Sequence, residues 1–281
     1  MRALVLAAAL AGLASAASAT EAPNARAAYV ERRGLIEVDA QCRLFTPEIR
    51  AALHVGLAQA RGALLRSGWS NAQMRDLEQT VVAAARARQC SDPRTASAAA
   101  DARTAFASWA YAGSMAFPGW EREWLARRSS VTGWRLSQAI DAPVAAMFGV
   151  READGVQRLT LAVAVTRGQT APSTARLLMR DPARARAVEV TLPQRMSYGL
   201  EAGAPPAGAA AATPSTRSVE RLDGGRTQTV FVFPDTAFQA LLALDPRESA
   251  VIELQNGRAT QRLLVEVGDI AAARGFLTIR R

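Results

Sequence analysis

Two cysteines, one histidine and a complete lack of lysine set narrow limits on the chemistry open to this chain. Without lysine there is no Schiff-base amine, no P-loop phosphate clamp and no Ser-Lys hydrolytic pair. The single histidine, His54, lies beside the apolar stripe of a helical pattern. No Gly-x-Ser-x-Gly elbow accompanies it, so a Ser-His-Asp arrangement has no carrier. Zinc sites of the Cys-rich or His-rich kinds need more ligands than are present, and no run has the acidic spacing of a Ca²⁺ loop. No catalytic, cofactor-binding or metal-ligating residue is assigned.

A carboxylate pair is what remains for an enzyme, because glycoside hydrolysis needs only two acids at a fixed separation. Glu121 and Glu123, beside Trp120 and Trp124, are the place to look. Two apart on a helix, they point to different sides, so a partner from the strand-rich half would be required. The same segment has a second reading, in which Tyr111, Trp120 and Trp124 form an aromatic platform for a sugar or peptide. Arg122 or Arg127 would then hold an anionic group. The competing structural role for these rings is to fill the seam between the helices and the next domain.

Cys42 and Cys90 carry the other chemistry. Arg2, the apolar run Ala3 to Leu13 and the small-x-small pattern Ala17-Ser18-Ala19 read as a cleavable export signal cut after Ala19. The apolar core is too short for a membrane anchor, since a spanning helix needs roughly twenty residues. The expected address is periplasmic or secreted, where thiols oxidise, and without Cys-x-x-Cys spacing the two cysteines are expected to form a structural disulfide.

The scaffold around these residues is helical at first. Thr46-Pro47-Glu48 is a helix start, and Ile49, Leu53, Leu57, Ala60 and Leu64 come after it at helical spacing until Gly68. Ser70 and Gln73 form a capping box for a second helix carrying Met74, Leu77 and Val81 towards Gln89. So short a connection makes the two an antiparallel pair, which brings Cys42 and Cys90 together at its open end. Asp92-Pro93 opens a third helix with Ala99, Ala102, Phe106 and Trp109 on one side, and a short helix bearing Trp120 and Trp124 is expected after Pro118-Gly119.

From Trp134 onward the period becomes alternating. Asp154-Gly155, Gly224-Gly225 and Asn256-Gly257 each separate apolar runs, the signature of antiparallel hairpins. A further pair, Ala175 to Met179 with Val188 to Leu192, is expected through Asp181-Pro182, and Asp235 and Asp269 are read as caps of two short helices. The fold class is therefore α+β: a disulfide-closed helical hairpin with additional helices, then an antiparallel β-sandwich or partly open barrel with two short helices. The expected divisions are a signal at 1–19, an extended segment at 20–34, a helical domain at 35–128 and a β domain at 129–281, with a mobile Ala/Gly/Pro loop at 202–214. The last fifty residues, around Phe238 to Leu244, resemble the invasion-associated locus B type of exported β-sandwich in their strand-helix-strand rhythm, which implies that architecture and no activity.

The formal charge of +9 is carried entirely by arginine and accompanied by abundant alanine, a pattern that points to GC-biased coding before it points to a ligand. The arginines are scattered, so nucleic acid is not an expected partner, and no membrane span is expected. An anionic envelope component or an envelope protein is, with oligomeric state left open. The expected function is an exported, non-enzymatic binding or interaction module; the alternative is a carboxylate-dependent hydrolase of cell-wall or polysaccharide substrate.

Overall fold

A computed structural model describes residues 21–165, 170–222 and 226–279, so the expected export signal lies outside the described residues. Helix α1 (Glu21–Cys42) occupies the stretch expected to be extended at 20–34, and the helical region starts well before residue 35. Ala25, Tyr29, Leu35 and Val38 are buried along it, the first two in one cluster with α2 and α3 and Leu35 in the larger core. In sequence this apolar set is interrupted by Arg32, Arg33 and Gly34. Tertiary packing decides the matter, because α1 lies against both of the next two helices.

Helix α2 (Pro47–Arg66) begins where Thr46 accepts a hydrogen bond from the Ile49 amide and ends before Gly68, whose φ of +101° suits only glycine. Helix α3 (Asn71–Arg86) carries the expected Ser70–Gln73 capping box, and α4 (Pro93–Tyr111) starts on Asp92, which accepts from the Arg94 amide at 2.8 Å. Cys42, the last residue of α1, is bonded to Cys90 beyond α3, with Cα atoms 5.5 Å apart. Closing a loop of this length removes enough unfolded-state entropy to stabilise the fold by about 4 kcal/mol in the chain-entropy model.

The strand-rich part starts earlier than the sequence suggests. Residues 114–127, expected to end in a helix, form a hairpin of β1 (Ser114–Pro118) and β2 (Glu123–Arg127), with Phe117 opposite Trp124. Burial alternates along β2, with Trp124 and Ala126 inside. The four-residue spacing of Trp120 and Trp124 suggested a helical face, but the governing period is two.

Four more strands, β3 (Trp134–Ile140), β4 (Ala146–Ala153), β5 (Val156–Val165) and β6 (Thr174–Met179), come before helix α5 (Leu192–Tyr198) and a 3₁₀ turn at Gly199–Gly203. Then come β7 (Ala210–Ala212), β8 (Thr216–Arg221), β9 (Thr227–Val232), helix α6 (Asp235–Leu242), β10 (Ser249–Asn256), β11 (Ala259–Glu266) and helix α7 (Ile270–Thr278). One sheet is ordered β1-β2-β3-β4-β5-β9-β8 and the other β11-β10-β6-β7, with antiparallel pairings. Asp154 and Gly155 both take positive φ, as the β4–β5 hairpin requires. Two expectations fail here. Residues 188–192 form no strand beside β6, which pairs with β10 and β7. Within 202–214, where a mobile loop was expected, Ala210–Ala212 adds an edge strand, because backbone pairing needs no large side chain.

One buried cluster runs from Leu53 and Val55 of α2, through Phe276 of α7, to Phe148, Leu161 and Phe231 of the larger sheet and Leu177 and Ile252 of the smaller. A second, inside the helices, joins Tyr29, Leu64, Leu65, Met74 and Val81. Among the described residues no helix is long and apolar enough to cross a membrane.

Candidate functional site

The segment singled out by its tryptophans, Trp120–Trp124, has a structural task. The tight turn between β1 and β2 points three successive amides, those of Trp120, Glu121 and Arg122, at the carboxylate of Glu266, with the last two at 3.1 and 2.9 Å. Such a concave run of N–H groups is an anion nest, and here the chain fills it with its own side chain. Glu266, at the end of β11, is fully buried and also lies 3.3 Å from Arg195 of α5, which reaches Glu121 at 3.1 Å. The Arg195 guanidinium stands 5.4 Å from the Trp120 ring centroid, and burial pulls its pKa below the ordinary value while Glu266 and Glu121 oppose the shift. Gly119 is required at the turn, since a β-carbon there would sit 2.6 Å from the Glu266 carboxyl carbon.

The proposed aromatic platform is not assembled. Trp124 is fully buried and donates its indole N–H to the carbonyls of Glu266 and Val267, at 3.0 and 2.9 Å. Tyr111 is exposed at the end of α4, Arg122 donates to the Leu264 carbonyl, and Arg127 is half-buried on β2. Of the acids considered as a pair, Glu121 is tied to Arg195 and Glu123 is exposed at the start of β2. Arg195, at the centre of this arrangement, carries no motif of its own in the sequence, although Thr191 and Gln194 form a capping box that announces α5.

A different place has the form of a binding site. Between α1, α2 and α3 on one side and the segments 180–189 and 243–245 on the other lies a cleft of about 940 Å³. Two of its lining residues, Arg180 and Asp245, belong to buried ion pairs, termed the floor. Arg180 and Glu248, both buried, are joined by two hydrogen bonds of 2.6 and 2.8 Å; Arg247 grips Asp245 at 2.9 and 3.0 Å. The Asp245 amide donates to Glu248 at 2.7 Å, and Arg247 reaches the Trp69 carbonyl at 3.2 Å, so one network ties β6 and β10 to the α2–α3 turn. Burial works against ionisation of Asp245, but Arg247 outweighs it and holds the carboxyl below its ordinary pKa.

The walls differ from the floor. Arg61 of α2 makes only a 3.4 Å hydrogen bond to Asn71 and acts on the Asp245 carboxyl through space, and Arg75 of α3 and Arg186 are exposed; none of the three forms a salt bridge among the described residues. Of the wall acids, Glu78 is engaged by Arg33 at 2.9 Å, while Glu189 is exposed and unengaged among the described residues. Tyr29 is buried beneath them with no hydrogen bond from its hydroxyl to the described residues. Burial raises its pKa, Glu78 adds to the shift, and Arg61 and Arg33 oppose it, so the phenol stays protonated and able to donate. Sequence reasoning passed over this cleft because its residues come from five separate stretches, and the Arg180, Arg184, Arg186 cluster was visible only as scattered charge. Among the described residues no group of acids, cysteines or histidines is arranged to hold a metal ion.

No protein-family model, curated protein or solved structure matches this chain.

Proposed function

We propose that this chain is a non-enzymatic binding module of the cell envelope, periplasmic or secreted, which holds part of an envelope component in the cleft between its helices and its smaller sheet. The carrying observation is the cleft itself: a concave space of about 940 Å³ whose floor is locked by paired charges. That size suits a sugar- or headgroup-sized ligand. The Cys42–Cys90 bond supports an oxidising compartment, in keeping with the export signal read at 1–19.

The acids on the cleft also favour binding over hydrolysis. Arg247 holds the Asp245 carboxyl below its ordinary pKa, so it is not a proton donor near neutral pH, and the Glu78 carboxylate is already engaged by Arg33. The test is association of the full chain with purified lipopolysaccharide and peptidoglycan, compared with Ala243→Trp, which fills the cleft from an exposed position without changing charge. Saturable binding that weakens at least tenfold in the variant is expected. Release of soluble fragments from either polymer would replace this reading with the hydrolase.

A further inference from the structure

Three guanidinium groups from three separate stretches, Arg61, Arg75 and Arg186, line one cleft without a salt bridge to any of them among the described residues. We infer that the cleft takes a phosphate-bearing ligand with at least two negative charges, such as a phosphorylated sugar or headgroup. The inference rests on the binding reading above and adds the chemical class of the ligand.

The charge distribution excludes a neutral ligand as the best fit. The paired guanidinium groups are already charge-neutralised: Arg180 donates to Glu248 and to the Ala185 carbonyl at 2.7 Å, and Arg247 donates to Asp245 and to the Trp69 carbonyl. Their charge is already met by a carboxylate, so they hold the cleft's shape more than they attract an anion. Arg75 and Arg186 make no salt bridge among the described residues and Arg61 makes only a 3.4 Å bond to Asn71, and a planar fork suits the paired oxygens of phosphate. Three cations face the single unengaged acid Glu189, leaving an excess that a monoanion would not neutralise. Buried Tyr29 adds a neutral donor at the helix side. The cleft is too large for inorganic phosphate alone, which is why the phosphate is placed on a sugar or headgroup.

Isothermal titration of the full chain with pyrophosphate, fructose 1,6-bisphosphate, citrate and maltose tests the class. Vesicles containing phosphatidylglycerol form a separate arm that distinguishes a lipid-borne phosphate from a soluble one. Both phosphate compounds, or the vesicles, should bind; maltose should not, and citrate should bind at least tenfold more weakly than the phosphates. Arg75→Gln with Arg186→Gln should weaken phosphate binding by tenfold or more, whereas Glu189→Gln should tighten it severalfold. Arg184→Gln is the control, because that arginine is also exposed but pairs with Asp181 and does not line the cleft. If the double variant and Arg184→Gln lose the same amount, or no phosphate probe binds, the inference falls. Polymer binding that is blocked by Ala243→Trp yet indifferent to the arginine changes would sink the phosphate assignment and leave the binding role standing.

Discussion

The junction around Glu266 and the cleft beside α3 are both built on arginine, yet they use it in opposite ways. At the junction Arg195 is buried, between the carboxylates of Glu266 and Glu121, with three backbone amides on the same Glu266. At the cleft Arg75 and Arg186 are exposed and form no salt bridge among the described residues. An interior charge must find its counter-charge within the protein, because nothing else can reach it. A wall cation costs little to leave unpaired, and it stays available to a ligand for the same reason. Residue type alone therefore says nothing about role here; access to water does.

The comparison breaks most visibly at Glu266. Replacing it with alanine strands a buried guanidinium and three inward-facing amides, which should cost roughly 3–5 kcal/mol of unfolding free energy. Glu121→Ala removes the other carboxylate on Arg195, but Glu121 is more than half exposed, and the loss should stay below about 1 kcal/mol. Denaturant unfolding of both variants measures the difference. Equal losses would mean that burial does not separate the two contacts.

The acid side of the stability profile gives a smaller effect within the floor network. Asp245 has a folded pKa below its unfolded value of about 3.9, so the stability it contributes is complete above that value and is lost as pH falls through the folded value. Asp39, held down by Arg50 and by the Phe45 amide despite its burial, has the same sign. Asp245→Asn should therefore be less stable than the parent near pH 6, with the gap narrowing as pH drops towards 3. A gap that stays constant across this range in urea titrations would assign the contribution to packing and not to charge.

The helix starts at Thr46, Ser70 and Asp92, the disulfide and most hairpins were legible because each depends on a few neighbouring residues of distinctive chemistry. Elements decided by distant contacts were not. Helix α1 becomes helical against α2 and α3, and β2 becomes a strand because Trp124 is drawn into a core shared with Phe148. Glu266 reads in sequence as one more acid at the end of a strand, and only the fold brings the 119–122 turn over it. The cleft was hidden for the same reason. Its free arginines are separated by as much as the distance from α2 to residue 186, and a scattered cation in sequence looks like a solvated one.

The smallest expected effect on stability is also the sharpest test of the contrast. Arg75→Gln and Arg186→Gln remove exposed charges that form no salt bridge among the described residues, so each should shift unfolding free energy by no more than about 0.5 kcal/mol. Loss of like-charge repulsion among the wall arginines acts in the stabilising direction, so the double variant should be neutral or slightly more stable at low ionic strength, with the gain fading as salt rises. A double variant that instead loses about 2 kcal/mol or more by denaturant unfolding would show that these arginines have partners in the fold. They would then belong with Arg195, and the cleft would lose the free cations on which its binding role depends.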